Sequence, residues 1–204
     1  MEQEKVWDAI AGKWAEFRVR PLDEVLEFLS PRDDSGESDN RKGKVLDLGC
    51  GSGRHCLDVE GLDFYGVDFS EKLLEFAREK NYVEVKKGFC YDVSYDDGFF
   101  DYVVFARVLH CVDSVEMRKK SLEECYRVLK KGGEMLILVW GRGQDRLKNR
   151  KKEGFVPWNV DGEKFERYTY IYDFEELKSE LVDVGFEIVK SWEDRCLNFV
   201  VRKG

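Results

Sequence analysis

The stretch VLDLGCGSGRH, Val45 to His55, decides the fold of this chain. The residues from Lys44 to Leu48 form an apolar run that carries one acid, Asp47, and such a run is typical of a buried parallel strand. Three glycines follow at alternate positions: Gly49, Gly51 and Gly53. They predict a turn whose backbone passes close to a ligand. We also expect a helix to begin near Gly53 and to present its free N–H groups to that ligand.

The second predicted strand favours a ligand that contains a ribose. Asp63 to Val67 is typical of a strand, and Asp68 ends it about twenty residues after Asp47, where an acid can accept both ribose hydroxyls. Two other interpretations stay open. The glycines could form a tight turn without a ligand, or Asp68 could cap the next helix, a role that Ser70 could also fill. A dinucleotide fold is less favoured, because G-x-G-x-x-G requires a glycine where this chain has Arg54.

Strand and helix patterns alternate along the chain. Strands are predicted at Lys44 to Leu48, Asp63 to Val67, Tyr82 to Val85, Asp101 to Ala106 and Glu134 to Trp140. Helices are predicted at Val6 to Phe17, Leu22 to Leu29, Ser70 to Lys80, Val115 to Lys130 and, from a capping-box-like start, Asp173 to Val184. The closing strands are FEIVKSW and CLNFVVR. This order predicts the α/β class: a doubly wound, mostly parallel, Rossmann-like sheet with an antiparallel C-terminal strand and an N-terminal helical cap.

Charge and composition narrow the class of function. A net charge of −8 and a pI near 5.1 argue against a general electrostatic grip on nucleic acid, so any RNA contact requires a local patch or a partner. Six cysteines without C-x-x-C spacing, beside two histidines, predict no metal site. We find no signal peptide and no apolar run long enough to cross a membrane. We therefore expect a soluble, cytoplasmic protein without membrane contact.

One basic segment interrupts the acidic pattern. Arg142 to Lys152 holds six basic residues and one acid, in the connection after the fifth strand, where sheets of this type place their ligand crevice. Its central cations are candidates for phosphate contacts: Arg146, Lys148 and Arg150. Trp158 and Tyr168 could stack an unpaired base. The alternatives are a solvated charged face and ordinary core aromatics.

Three motifs resemble the class I S-adenosylmethionine-dependent methyltransferases: VLDLGCGSG, GVDFS and RVLKKGGE. The resemblance implies that S-adenosylmethionine is the cofactor. It also implies these cofactor-binding positions: Asp47, Gly49, Cys50, Gly51, Gly53, Asp68, Phe69, Phe89, Cys90 and Ala106. Phe89 stands where an acid usually meets the adenine amino group, so adenine would rest on the Cys90 backbone and an aromatic wall, with Asp92 as a substitute acid.

The whole chain resembles, more closely, the tRNA wobble-uridine carboxymethyl methyltransferases. The segments that carry this resemblance are VWDAIAGKWAEFRVRP, ARVLHC, LVWGRGQ, FVPW, RYTYIY and Asn198 within CLNF. The family esterifies a carboxymethyl group on the uridine at the first anticodon position and works with a small zinc-binding activator protein. The resemblance therefore implies a tRNA anticodon loop as substrate and such an activator as partner.

The acceptor group determines which residues the reaction needs. A carboxylate is ionised at neutral pH and needs no general base, only donors that orient it. The catalytic candidates are Arg18, Arg107, His110 and Arg167, and Arg20 and Asn198 join the basic run and the two aromatics as substrate-binding candidates. Alternatives stay open. Arg18 and Arg20 could bind the cofactor's own carboxylate, Arg107 could form a surface ion pair, and His110 could be a base, a donor or a packing residue.

The segments fit a single methyltransferase domain over residues 1–204. Residues 1–43 form a helical cap and an acidic loop, 44–141 the cofactor-binding core, 142–172 a substrate-side insertion, and 173–204 the closing helix and strand pair. Two other functions stay open. One is methylation of a small molecule with the same cofactor. The other is a non-catalytic scaffold of methyltransferase type that binds a partner.

Overall fold

A computed structural model describes residues 3–30, 41–144 and 147–204. The helices are α1 (Gln3–Phe17), α2 (Asp23–Leu29), α3 (Glu71–Ala77), α4 (Val115–Val128) and α5 (Phe174–Val184). The strands are β1 (Gly43–Leu48), β2 (Leu62–Asp68), β3 (Glu84–Lys87), β4 (Phe100–Ala106), β5 (Leu129–Trp140), β6 (Glu153–Val160), β7 (Glu163–Tyr170), β8 (Phe186–Glu193) and β9 (Cys196–Lys203). A 3₁₀ turn spans Leu109–Cys111. The predicted loop at 31–40 and the candidate Arg146 lie outside the described residues.

Seven strands form one sheet in the order β3-β2-β1-β4-β5-β9-β8. The first five are parallel, and β9 is antiparallel to both of its neighbours. The predicted doubly wound sheet with an antiparallel C-terminal strand is confirmed. Strands β6 and β7 form a separate antiparallel hairpin within the predicted insertion. The strand order reverses between β1 and β4, which is the point where open α/β sheets bind ligands.

Alternating side chains of the central strands build a core on each face of the sheet. On one face Val45, Phe64 and Val104 pack with Phe28 and Leu29 of α2. The other face packs against α4 and α5; its members include Leu46, Tyr65, Val103, Phe105, Ile137, Leu122 and Leu181. Because helices cover both faces, the central strands are apolar almost throughout, as their sequences predict.

The helix starts follow local capping chemistry. Ser70 Oγ accepts a hydrogen bond from Leu73 N–H, and Ser114 Oγ accepts one from Met117 N–H. The capping box at Asp173 and Glu176 is present, and α5 ends at Gly185 with a φ of 111°. The predicted start and end of α5 are therefore confirmed.

Several sequence predictions about elements are wrong. Helix α4 ends at Val128 rather than Lys130, and β5 begins at Leu129 rather than Glu134. The helix expected near Gly53 is absent, because residues 51–55 form turns and only eight residues separate Gly53 from β2. Gly51 and Gly53 have φ values of 55° and 81°, outside the helical region. Strand β3 begins at Glu84 rather than Tyr82, whose side chain packs under the glycine turn. Helix α3 ends at Ala77 rather than Lys80.

Two kinds of feature are missing from the part of the chain that the structure describes. No helix in it is long and apolar enough to span a membrane. No cluster of His, Cys, Asp and Glu in these residues could hold a metal ion. All six cysteines are free thiols.

Candidate active site

A cavity of about 470 Å³ opens at the carboxyl ends of β1, β2, β4 and β5. Helix α1 and strand β7 close it from the opposite side, through Trp7, Trp14 and Arg167. Ten of the predicted site residues line it: Arg18, Gly49, Cys50, Gly51, Asp68, Phe69, Ala106, Arg107, His110 and Arg167. The structure thus brings the predicted cofactor turn and the predicted catalytic side chains to one site.

Two glycines of the turn, Gly49 and Gly51, have different structural roles. Gly49 has a φ of 74°, and a Cβ atom there would lie 2.3 Å from Val108 Cγ2, so packing alone excludes a side chain. A Cβ atom on Gly51 would meet no atom within 4 Å, although Gly51 lines the cavity. Gly51 therefore leaves open space where the backbone can approach a ligand.

The Asp68 carboxylate is fixed by two backbone donors. Oδ2 accepts a hydrogen bond from Gly51 N–H and Oδ1 accepts one from Ser70 N–H, both at 2.9 Å. Because Ser70 also caps α3 with its hydroxyl, the cap and the acid are separate functions. Burial raises the pKa of Asp68 to about 6, while the two N–H donors lower it. The remaining lone pairs of the carboxylate can accept ribose hydroxyls.

Asp47 lies beneath the cavity and does not line it. It is 1% exposed, and its Oδ2 accepts a hydrogen bond from Tyr82 OH at 2.6 Å. Its Oδ1 lies 3.6 Å from Nδ1 of His55, which does line the cavity. Asp47 therefore contacts the cavity wall at His55, and its charge also raises the pKa of Asp68.

Five arginines line the cavity: Arg18, Arg54, Arg107, Arg167 and Arg195. Burial, and then the charges of Arg107 and Arg18, lower the pKa of Arg54 to about 10. These three cations are therefore close neighbours. Arg107 has a φ of 64°, a strained value for a residue with a side chain and a common one at functional sites. Although the chain has a net charge of −8, the cavity is lined by cations and therefore favours anionic groups.

Indole rings hold Arg167 in place. Its guanidinium carbon lies 5.5 Å, 5.2 Å and 5.1 Å from the ring centres of Trp7, Trp14 and Trp158. Trp158 packs on Trp14, 5.1 Å between ring centres, and does not line the cavity. The Trp158 ring therefore packs against the Arg167 guanidinium rather than facing the cavity. Tyr168 is buried as well, and its hydroxyl donates to Glu153 at 3.0 Å.

The geometry around His110 favours one of its three possible roles. Its ring stacks on the Trp140 ring, with 4.7 Å between centres, and the backbone N–H of Trp140 donates to Nδ1 at 3.4 Å. When Nδ1 accepts a hydrogen bond, a neutral imidazole carries its proton on Nε2. We therefore expect His110 to act as a hydrogen-bond donor rather than as a base.

Several predicted site residues lie away from the cavity. Phe89 is 40% exposed and stacks on Phe69 and Tyr91. Cys90 Sγ lies 3.3 Å from Ser121 Oγ. The others that do not line the cavity are Gly53, Arg20, Lys148, Arg150 and Asn198. Asn198 is fully buried and donates to the carbonyls of Trp192 and Cys196, so its place in this geometry is structural.

The sequence interpretation missed twelve lining residues: Trp7, Trp14, Ser52, Arg54, His55, Leu73, Val108, Cys111, Trp140, Gly143, Gln144 and Arg195. Arg54 and His55 directly follow the glycine turn, so their position in the sequence could have predicted that they line the cavity. Trp7 and Trp14 are seven residues apart on α1, a spacing that also fits ordinary core packing. Burial raises the pKa of the Cys111 thiol to about 12, which disfavours the nucleophilic thiolate form.

Comparisons with known proteins identify the family of the chain. Residues 46–137 match the methyltransferase domain family. A protein of Encephalitozoon cuniculi named as a putative methyltransferase is 31% identical, and the match covers 80% of each chain. The tRNA (carboxymethyluridine(34)-5-O)-methyltransferase of Xenopus tropicalis is 32% identical over 72% of this chain, which spans 22% of that relative's length. In Arabidopsis thaliana, the correspondingly named relative is 33% identical, and the chain spans 33% of it.

The fold has solved counterparts. A chain in the complex between the Haloferax volcanii Trm112 methyltransferase activator and a methyltransferase superposes with a TM-score of 0.68 at 18% identity, covering 98% of this chain and 97% of that one. The chain belongs to the class I S-adenosylmethionine-dependent methyltransferases. Its methyl donor is S-adenosylmethionine.

The residues of the cavity fit this cofactor. Asp68 offers a carboxylate for the ribose, Gly51 leaves room for the ligand beside the turn, and the arginines can pair with the methionine carboxylate. The volume of about 470 Å³ lies within the range of small-molecule sites. The individual contacts stay predictions.

Proposed function

We propose that the chain transfers a methyl group to the carboxylate of a carboxymethyluridine at the wobble position of a tRNA anticodon. The observation that carries the proposal is the arginine-lined cavity beside the cofactor turn. A site with five arginines and one carboxylate suits an anionic acceptor. The names of the frog and Arabidopsis relatives specify this acceptor for those proteins, and they support its transfer to this chain.

The cavity can supply what a carboxylate acceptor needs. Bound S-adenosylmethionine provides an activated methyl group on a sulfonium. The acceptor carboxylate is already ionised near neutral pH, so the protein's task is alignment. Arg107 and Arg167 can hold its oxygens in a two-pronged geometry, and His110 can donate from Nε2. The indole rings of Trp7 and Trp14 cover the cavity and exclude water.

The hairpin surface offers a place for RNA. Within the basic run, Arg142 and Lys152 form ion pairs with acids at the start of α5. Lys148, Arg150 and Lys151 are exposed, and we assign the phosphate contacts to these three. The 53% exposed ring of Phe155 lies beside Arg150 and Lys151, at a shallow cavity of about 190 Å³. Phe155 therefore replaces Trp158 and Tyr168 as the candidate for base stacking.

An activator protein completes the proposal. The acidic charge of the chain works against unaided tRNA binding. A structural counterpart occurs in a complex with a methyltransferase activator, and this supports an activator as partner here too. That the activator is small and binds zinc is what the family resemblance implies. The exposed edge strand β3 offers a place for docking by strand addition.

The central experiment measures methyl transfer from labelled S-adenosylmethionine to tRNA that carries unesterified carboxymethyluridine, with and without an added activator. We expect label in the wobble nucleoside. We also expect mild alkali to release it as methanol, because a methyl ester hydrolyses and an N-methyl or O-methyl ether does not. Alkali-stable label, or no label in tRNA with the activator present, would contradict the proposal. The acidic charge of the chain disfavours nucleic acid and so supports a small molecule as the second candidate acceptor, which an absence of label in tRNA would favour.

Neutralising Lys148, Arg150 and Lys151 together should weaken tRNA binding and reduce the slope of log affinity against log salt by about 2, at roughly 0.7 per phosphate contact. Cofactor affinity should stay unchanged. A matched control neutralises three cations on α4 and α5: Lys119, Lys120 and Lys178. Filter binding over a salt series measures both slopes. Equal slopes for the two triple variants would show that the run is only a solvated face.

A further inference from the structure

Arg195 lies at the mouth of the cavity, on the turn between β8 and β9. It is exposed, and its side chain lines the cavity. Its backbone carbonyl accepts a hydrogen bond from Gln144 Nε2 at 2.7 Å. A Cβ atom on Gly143 would lie 2.1 Å from the carbonyl oxygen of Asp194, so the two segments pack too closely for a side chain there. The backbone of Arg195 is therefore held against the segment that follows β5.

The Arg195 guanidinium forms no ion pair with a carboxylate among the described residues. Asp194, the acid beside it in the chain, uses Oδ1 to accept the Cys196 N–H at 2.7 Å. Arg107 approaches the same turn from the end of β4. Burial raises the pKa of the Cys196 thiol, and the charge of Arg107 and a hydrogen bond from it lower that pKa. Two arginines thus meet at this turn, where an anion could bind both.

The strand order separates Arg195 from the cofactor turn. Strand β9 starts at the carboxyl edge of the sheet, with Cys196 opposite Trp140 of β5. It is three positions from β1, which leads into the glycine turn, and four from β2, which ends at Asp68. At about 4.8 Å per strand, these separations are roughly 14 Å and 19 Å. Arg195 therefore lies on the side of the cavity away from the predicted ribose site.

The exposed position of Arg195 suits a second anion of the acceptor. The carboxylate that takes the methyl group must come within about 3 to 3.5 Å of it, beside the cofactor. A nucleotide that places its base in the cavity keeps its backbone phosphates at the mouth. A small carboxylic acid has no such group. The position of Arg195 therefore favours an acceptor that belongs to a nucleic acid chain.

We propose that Arg195 binds a phosphodiester next to the uridine whose carboxymethyl group enters the cavity, with Arg107 adding positive charge beside it. Because this contact rests on the proposed function, it defines substrate choice within it: a nucleotide in an RNA chain is preferred to a free nucleoside. Arg195 does not touch the reacting atoms. The exposed cations beside Phe155 would contact other phosphates of the anticodon loop.

Neutral backbone linkages test the contact without turnover. Three anticodon stem-loop RNAs carry carboxymethyluridine at the wobble position. One has ordinary phosphodiesters, and each of the others has one uncharged methylphosphonate, on the 5′ or the 3′ side of that uridine. With the chain saturated with S-adenosylhomocysteine, we expect one of the two neutral linkages to weaken binding about five- to tenfold, because the contact is two-pronged but lies at the mouth. Fluorescence anisotropy at fixed low salt measures the affinities.

The same linkage should lose its effect in Arg195→Ala, where the difference between charged and neutral RNA should fall below about twofold. Arg195→Lys keeps the charge without the two-pronged geometry, so its difference should be intermediate. The control Arg202→Ala removes an exposed arginine from the other end of β9 and should respond as the parent does. The proposal is overturned if Arg195→Ala keeps the full difference, or if neither linkage matters in the parent. Weaker S-adenosylhomocysteine binding in Arg195→Ala would assign Arg195 to the cofactor and overturn it as well.

Methyl transfer separates this contact from the proposed function. We expect the free nucleoside to have a lower kcat/KM than the ordinary stem-loop, and Arg195→Ala to reduce that preference mainly through KM. Equal kcat/KM for nucleoside and stem-loop would overturn the phosphate contact and leave the proposed acceptor in place. An absence of transfer to the nucleoside, the stem-loop and tRNA, with the activator present, would overturn both.

Discussion

Replacing Asp68 with asparagine should weaken S-adenosylhomocysteine binding by at least about tenfold, which corresponds to 1.4 kcal/mol. The carboxylate accepts from Gly51 and Ser70 at 2.9 Å and keeps lone pairs for the ribose. The asparagine side chain lacks the negative charge. Its NH₂ group would also face groups that are themselves donors, such as a backbone N–H or a ribose hydroxyl. Calorimetry measures the change. The control Asp63→Asn makes the same replacement at an exposed position of β2.

The binding of ligand should also depend on pH through Asp68. Burial raises its pKa to about 6, so the carboxylate protonates as the pH falls through 6 and affinity drops about tenfold per unit below it. Methylthioadenosine is the appropriate probe, because it keeps the ribose and lacks the methionine carboxylate that the arginines would contact. The acidic limb should disappear in Asp68→Asn. A limb of the same size in that variant would remove Asp68 from the ribose site.

The ligand-free protein should respond to pH in the opposite direction. The folded-state pKa of Asp68 lies above its ordinary value of 3.8, so this group favours the folded state most at low pH. Its contribution is fully present below about 3.8 and is lost as the pH rises through about 6. Asp68 therefore makes the empty site less stable at the pH at which it binds best.

Alanine at Gly49 and at Gly51 should produce two different failures. At Gly49 the φ of 74° and a Cβ 2.3 Å from Val108 add strain to overpacking, and we expect a loss of about 2 to 5 kcal/mol of unfolding free energy. At Gly51 the Cβ meets nothing within 4 Å, so the loss is about 1 to 2 kcal/mol from φ alone. The added methyl group extends toward the ligand, and affinity should fall at least about tenfold.

Denaturant unfolding and calorimetry on the same two variants separate these effects. Val108→Ala makes room beside residue 49, so the double variant with Gly49→Ala should recover part of the lost stability. It should recover none of the affinity lost in Gly51→Ala. If Gly51→Ala bound ligand as the parent does, the backbone of the turn would not approach the ligand at that position.

The predictions that succeeded rest on short-range chemistry. A buried apolar strand followed by alternate glycines, an acid at the end of the next strand, and the Asp173 cap are each encoded within a few residues. The helix near Gly53 failed because two alternate positive φ values fold the segment into turns, and sequence spacing does not show which conformation a glycine adopts.

Long-range packing accounts for what sequence reasoning missed at the site. Trp7 and Trp14 look like core residues of an amphipathic helix, and only their contact with Arg167, more than 150 positions away, makes them walls of the cavity. Trp158 was predicted to stack a base, but its long-range contacts with Trp14 and Arg167, which its local sequence does not show, hold it away from the cavity. Asn198 was predicted to bind substrate because its side chain is polar, but its amide NH₂ group donates to two backbone carbonyls within the fold.

Helix α1 precedes the whole sheet in the sequence, and it is among the last elements whose contacts can be completed. Gln3 accepts a hydrogen bond from Tyr168 N–H at 2.9 Å, across 165 positions of sequence. Closing so large a loop is entropically costly until the intervening sheet has brought the ends together. On the ribosome, the glycine turn and Asp68 therefore emerge long before the helix has β7 to rest on. A nascent chain has Asp68 early, but α1 closes the cavity only after β7 has been made and has joined the fold.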